Sequence, residues 1–307
     1  MTSNTLPNTT EKSYDRTEWR KGYQSQPTEY DYWVDDIEGE IPQDLQGTLF
    51  RNGPGLLEIH GTPIRHPFDG DGMISAVTFK EGKVHFRNRF VQTEAYVQEQ
   101  ASGKILYRGV FGTQKPGGIL NNAFDFRLKN IANTNVIYWG NKLLALWEAA
   151  EPYRLDPKTL ETIGIDYLDG LLKPGDAFSA HPWIDPSCEM DDNEPCLVNF
   201  ALKSGLSSKL TIFEFNLQGK LLRRHSHSIP GFSFIHDFAI TPNYCIFFQN
   251  PVGFNPIPFL LGLKGAGECV QYQANQPTRI ILISRRDKDA KPVIIETPSG
   301  FVFHHAN

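Results

Sequence analysis

The chain has 307 residues, of which 40% are hydrophobic and 12% aromatic, with 26 glycines, 21 prolines and a formal net charge of -5. It is longer than one ordinary domain, and its glycine, proline and aromatic content, without any Ala/Glu/Lys/Leu-rich stretch, indicates an all-β chain of many short strands. Charges of both signs are interspersed, so there is no basic face to release counterions, and nucleic acid is excluded as a partner.

In chain order, residues 1–29 are polar and aperiodic and read as an N-terminal tail or a strap laid on the body. The opening MTSNTLPNTTEKSYDRTEW carries acidic groups and no apolar core, unlike a secretory signal. A cytoplasmic location is therefore expected, with the sequon at Asn8 unmodified. Residues 30–307 read as one domain. Period-2 alternation or apolar continuity predicts strands at Gly47–Arg51, Ser75–Phe79, Lys83–Val91, Asn135–Trp139, Leu143–Trp147, Cys196–Leu202, Lys209–Asn216, Tyr244–Asn250 and Arg279–Ser284. Asn52-Gly53-Pro54-Gly55, Glu81-Gly82 and Gln218-Gly219 read as turns between them. Hairpins in succession without crossover helices point to a propeller or barrel, and the lack of a strict repeat argues against WD40 and kelch types. Cys188, Cys196, Cys245 and Cys269 show no zinc-finger or CxxC spacing and read as buried apolar residues of a reduced protein. The last run, Phe301-Val302-Phe303-His304, is strand-like, and the chain is expected to stop mid-structure.

Three histidines stand beside apolar or aromatic residues: His181, His236 and His304, separated by 236 − 181 = 55 and 304 − 236 = 68 residues. A propeller blade takes roughly 40 to 60 residues, so these intervals allow one imidazole per blade at a central axis. Converging neutral imidazoles bind divalent iron, copper or zinc. The plainer reading of each is a hydrogen-bonded core histidine. His225 and His227 share one face of a predicted strand but follow Arg223 and Arg224, so they read as a solvated strand edge. His304 and His305 are consecutive in an apparent strand and point to opposite faces. His60, His66 and His85 have no partner at a readable spacing and read as structural.

Two blocks are more specific. Phe50-Arg51-Asn52-Gly53-Pro54-Gly55, followed by His66-Pro67-Phe68-Asp69-Gly70-Asp71-Gly72-Met73, resembles the signature blocks of the carotenoid cleavage oxygenases. Asn130 to Asn135, Ala145-Leu146-Trp147-Glu148, the His181 and His236 segments and Phe303 to Asn307 extend the resemblance over nearly all of residues 30–307, most of all to cyanobacterial apocarotenoid-cleaving members. It implies a seven-bladed β-propeller with iron(II) on its axis, here lacking its C-terminal blades. His181, His236 and His304 match three of four ligand histidines. Glu148 matches a carboxylate that receives the free ring N–H of a ligand histidine. Thr134 matches a residue beside the open metal position, and Phe68, Phe111, Trp147 and Phe303 resemble aromatics of a substrate tunnel. The fourth histidine and two further carboxylates of the family have no counterpart here.

The implied activity is that of a non-haem Fe(2+) dioxygenase, which uses O2 to split a conjugated double bond of a carotenoid or apocarotenoid into aldehydes, retinal among them. A stilbene-cleaving relative, or a non-catalytic propeller fragment that binds apolar ligands or membrane, are the alternatives. Activity of this chain alone is not expected, because three imidazoles leave a weaker site. Phe238 to Leu263 contains no charged residue, yet Pro251, Pro256 and Pro258 break any helix that could span a bilayer. Pro251 to Leu263 instead suits a loop in peripheral contact with membrane, from which an apolar polyene substrate is collected.

Overall fold

Two-residue turns set the strand pairing. At Glu81-Gly82 both residues have positive φ, 52° and 71°, a geometry that carries the twist of the flanking strands and holds Lys80 opposite Lys83. Gly140-Asn141, at 56° and 61°, sets Trp139 opposite Lys142 in the same way. In the computed structural model, which describes residues 21–306, such hairpins build four antiparallel sheets of four strands each and two ribbons of two strands. Residues 1–20 of the expected tail, with Asn8, lie outside the described residues.

The first sheet runs in the order Asp31–Val34, Lys83–Phe90, Asp71–Lys80, Gly47–Leu56. The second is a meander of Asn135–Trp139, Lys142–Leu146, Tyr153–Leu155 and Thr162–Ile165. The third follows with Trp183–Asp185, Cys196–Lys203, Ser207–Phe215 and Leu221–Pro230, and the fourth with Ala239–Ile240, Tyr244–Gln249, Thr278–Ser284 and Val293–Thr297. Each strand read from the sequence between Gly47–Arg51 and Arg279–Ser284 overlaps one of these.

Consecutive sheets pack face to face. In Lys142–Leu146, Leu143 and Ala145 join Ile74 and Ala76 of the first sheet in one apolar layer, whereas Leu144 and Leu146 join Leu197, Phe213 and Phe215 of the third in the next. A strand buried on both faces reads as a continuous apolar run, which is why this segment was legible. A third layer, with Val198, Phe200, Leu210 and Ile212 against Cys245, Phe247, Ile281 and Ile283, joins sheets three and four. Each fully buried Leu, Ile or Phe in these layers contributes roughly 1.5–3 kcal/mol relative to exposure.

Side chains also stitch the leading strands of neighbouring sheets together. Asn52 Nδ2 donates to the carbonyls of Ala132 and Asn135, at 2.8 Å each. Asn135 Nδ2 donates to Ala180 O at 2.7 Å, and Trp183 Nε1 donates to Phe238 O. The arrangement is consistent with successive blades of a propeller whose innermost strands line an axis.

Four readings need correction. Asn52 to Gly55 is no turn but part of the Gly47–Leu56 strand, with a bulge between Pro54 and Leu56. Gly55 is there because a Cβ would stand 2.6 Å from that of Met73. Phe301 to Ala306 forms no strand. Instead the Asn250 side chain mimics a strand neighbour, accepting from Val302 N at 2.8 Å and donating to Val302 O at 2.9 Å. The helix Glu94–Ser102, capped by Thr93 and Gly103, was missed because its inward side is held by a carboxylate. Glu99 is 1% exposed, meets Lys129 Nζ at 2.6 Å and accepts from Leu106 N. Finally, Pro256–Leu260 is a short helix despite its prolines: Asn255 caps it by accepting from Ile257 N, and Pro256 occupies the first turn, where no N–H is needed.

Candidate metal centre

His181 lies two residues before Trp183–Asp185, and His236 lies three before Ala239–Ile240. Both therefore sit on the segment leading into the first strand of a sheet, and the 55-residue interval is the repeat from the third sheet to the fourth. Thr134, one residue before Asn135–Trp139, holds the corresponding place in the second sheet. His304 reaches the same point from the segment that Asn250 secures.

The three imidazoles converge. One ring nitrogen from each of His181, His236 and His304 lies within 4.8 Å of the others, and the ring centroids are 4.4, 5.0 and 4.9 Å apart. The Nε2 atoms of His181 and His236 are 2.8 Å apart. Burial, and then the neighbouring His236 ring, push the His181 pKa down to about 4, so this imidazole is neutral and keeps a lone pair. Glu148 Oε2 lies against His236 Nδ1. A proton held there leaves the His236 Nε2 lone pair facing the shared point. The donor set fits a divalent transition metal of borderline softness.

Phe303 stacks on His236, with centroids 4.1 Å apart and planes at 19°. His305 turns from the cluster: its ring lies 5.1 Å from that of Phe248, and its backbone N–H donates to Asp237 Oδ2 at 2.9 Å. Thr134 Oγ1 donates to Asn133 Oδ1 at 3.2 Å.

A cavity of about 640 Å³ adjoins the cluster, reaching Glu148, Ser179 and Ile235. Phe111 and Trp147 line it, together with Phe232, Phe234 and Phe254. Phe68, 50% exposed, touches its wall only through Phe111, at 5.4 Å between centroids. The second sequence block explains how Phe111 is held. Asp69, 2% exposed, accepts from Phe111 N at 2.9 Å and from Thr113 N and Oγ1 at 3.1 and 2.8 Å. Gly109 allows this approach, since a Cβ there would stand 2.4 Å from the Asp69 carboxyl carbon. Gly72 likewise lets the chain pass Ala132, whose carbonyl oxygen would lie 2.2 Å from a Cβ. The Asp69-Gly70-Asp71-Gly72 stretch thus fixes the Phe111 loop and lets the chain pass close to Ala132.

Beside the cavity lies an apolar platform made of two segments. Ile257, Leu261 and Leu263 are exposed, and so are Leu120 (94%) and Phe124 (69%) in and just after the short helix Ile119–Asn122. Of Pro251 to Leu263, Phe254 and Phe259 are only half-buried and turn inward. Phe254 stacks on Phe232 at 5.4 Å, and Phe259 lies under the Arg108 guanidinium at 4.2 Å. Arg108, fully buried, pins both segments by donating to the carbonyls of Asn122, Asp125, Phe259 and Lys264. Among the described residues no helix is long and apolar enough to cross a membrane.

His225 and His227 correct another expectation. They are buried, not on a solvated edge, with His225 Nδ1 2.8 Å from His227 Nε2. The strand alternates, so His225, His227 and Ile229 are buried on one face while Arg224 and Ser226 are exposed on the other, Arg224 towards the cavity. Sequence reasoning also missed a buried group of Cys188, Cys196 and Glu214, whose ligand atoms lie within 4.8 Å of one another. All four cysteines are free and buried.

Residues 23–307 match the family described as Retinal pigment epithelial membrane protein. The chain belongs to the carotenoid oxygenase family. Within this family it is 56% identical, over its whole length, to the Apocarotenoid-15,15'-oxygenase of Synechocystis sp., of which it spans 62%. It is 33% identical to Carotenoid cleavage oxygenase 1 of Neurospora crassa, covering 89% of this chain and 49% of that one. The solved structure of the cobalt-substituted Synechocystis oxygenase superposes with a TM-score of 0.92 at 58% identity, over 96% of this chain and 61% of the other. The chain thus spans about three-fifths of the Synechocystis relative.

Proposed function

We propose that this chain carries the greater part of a non-haem iron(II) dioxygenase of seven-bladed propeller form, which splits a central double bond of an apocarotenoid into two aldehydes, retinal being one. The reading rests above all on the convergence of His181, His236 and His304, with Glu148 behind His236, beside an aromatic cavity. These three imidazoles would hold the metal. When bound, iron(II) supplies an open coordination position for O2 and the oxidising chemistry.

The chain's own residues do the rest. Glu148 holds the proton at His236 Nδ1 and so fixes that ring's tautomer. Phe303, stacked on the same ring, restricts its rotation. Phe111 and Trp147 offer an apolar wall that orients a rod-shaped polyene and excludes water. Asp69 keeps Phe111 in place, and Phe68 stands at the rim. Thr134, on the segment leading into the second sheet, would stand beside the open metal position. The platform of Ile257, Leu261, Leu263, Leu120 and Phe124 is the peripheral membrane contact through which the polyene is taken up.

Three measurements test this. A fusion of this chain to the C-terminal two-fifths of the Synechocystis relative, given iron(II) and air, is expected to convert a β-apocarotenal to retinal. Iron uptake without aldehyde formation would favour the non-catalytic alternative. In the same fusion Glu148→Gln should weaken iron binding about 10- to 100-fold, and unchanged affinity would remove Glu148 from its role. For the membrane contact, replacing Ile257, Leu261 and Leu263 by Ser should reduce sedimentation with phosphatidylcholine liposomes, and unchanged sedimentation would rule the platform out.

A further inference from the structure

The wall of the aromatic cavity is chemically uneven. Val110, Phe111, Phe254 and Val270 make one flank apolar, whereas the flank built by the third sheet carries Lys203, Lys209 and Arg224. Their convergence follows from strand register. Lys203 stands directly opposite Lys209, and Arg224 opposite Phe213. Lys209, Thr211 and Phe213 alternate along one strand and so share a face. The Arg224 guanidinium lies 5.4 Å over the Phe213 ring, which orients it along that face.

None of these three cations has an ion-pair or side-chain hydrogen-bond partner among the described residues. The carboxylate on the same part of the wall, Asp176, accepts from Lys173 N at 2.9 Å. Three positive charges against one negative leave this flank net positive. A hydrocarbon end group laid there would displace water from the cations and give nothing in return, whereas an oxygen-bearing end group accepts their hydrogen bonds.

We infer that this cationic flank is the subsite for an oxygenated end of the polyene, and that it takes a carboxylate more tightly than an uncharged ester or alcohol. The inference rests on the polyene reading of the cavity. It orients the substrate, with the oxygenated end on the third sheet and the middle of the chain beside Trp147 and Glu148.

The test is equilibrium binding to this chain, followed by quenching of its tryptophan fluorescence. The probes are a long-chain β-apocarotenoic acid, its methyl ester and the corresponding alcohol, at neutral pH and low salt. The acid is expected to bind about tenfold tighter than the ester, a preference that added salt erodes. The paired substitution Lys203→Met with Lys209→Met should bring the acid to the ester's affinity and leave the ester unchanged. Lys288→Met with Lys291→Met, a pair remote in sequence and exposed, should keep the preference. Equal affinity for acid and ester in the parent chain, or a preference that survives the Lys203/Lys209 change, would overturn the end-group assignment while leaving the polyene reading in place. No binding of any of the three probes would overturn both.

Discussion

Two triads of metal-ligand type lie among the described residues, and they are opposites. His181, His236 and His304 stand on leading segments beside a cavity, the first of them held neutral by burial and neighbouring imidazoles. Cys188, Cys196 and Glu214 are each at most 2% exposed. Burial pushes the Cys196 thiol far above its ordinary range, and Cys188 and Glu214 add to the shift. A cation already serves that pocket. Arg285 donates to Glu214 Oε2 at 2.9 Å, lies 2.7 Å from Asp185 Oδ2 and stands 3.8 Å from Cys196 Sγ. Burial works against its charge, but the two carboxylates outweigh it and hold the guanidinium protonated. Donor types within reach of one another do not make a metal site. Available lone pairs, a path for the ion and the absence of a resident cation decide it.

That contrast can be broken most sharply at Arg285. Arg285→Met leaves two buried carboxylates uncompensated and should destabilise the fold by about 3–5 kcal/mol, read from the urea midpoint. A loss below about 1 kcal/mol would mean that the guanidinium is not what holds the thiol pocket closed. At the histidine triad, His236→Ala should lower cobalt(II) affinity by at least on the order of 100-fold, the upper end of what losing even an outer partner costs. Cys188→Ser with Cys196→Ser should leave that affinity unchanged, and a fall caused by the serine pair would assign the metal to the wrong triad.

The smallest effect concerns His225 and His227, a buried histidine pair apart from both triads. Burial, then His227 and Arg223, bring the His225 pKa from 6.5 down to about 4. Between those values the unfolded chain binds a proton that the folded chain does not, so stability falls as pH drops from 6.5 to about 4. His225→Leu should flatten this part of the stability–pH curve. An unaltered slope would mean that other groups carry it.

Legibility followed local chemistry. His181 and His236 could be read because each precedes the first strand of its sheet, so the repeat from one sheet to the next appears as sequence spacing. Leu143 to Leu146 could be read because burial on both faces leaves a continuous apolar run. By contrast Cys188, Cys196 and Glu214 meet only through strand pairing, with Asp185 opposite Cys196 and Leu197 opposite Phe215. The Glu94–Ser102 helix was hidden because a buried ion pair, not an apolar stripe, holds it. The basic neighbours of His225 suggested solvent, but alternation puts Arg224 on the exposed face and His225 on the buried one.

The amide of Asn250 bears on how the protein ages. That one side chain both donates to and accepts from Val302, and so steadies the segment that delivers His304. Loss of its nitrogen would turn the donor into an acceptor facing a carbonyl oxygen. Asparagines lose that nitrogen when the backbone N–H of the next residue is deprotonated and attacks the side-chain carbonyl to form a succinimide. The next residue here is Pro251, which has no N–H to give. The usual route of spontaneous deamidation is therefore chemically shut at the amide on which a candidate ligand depends.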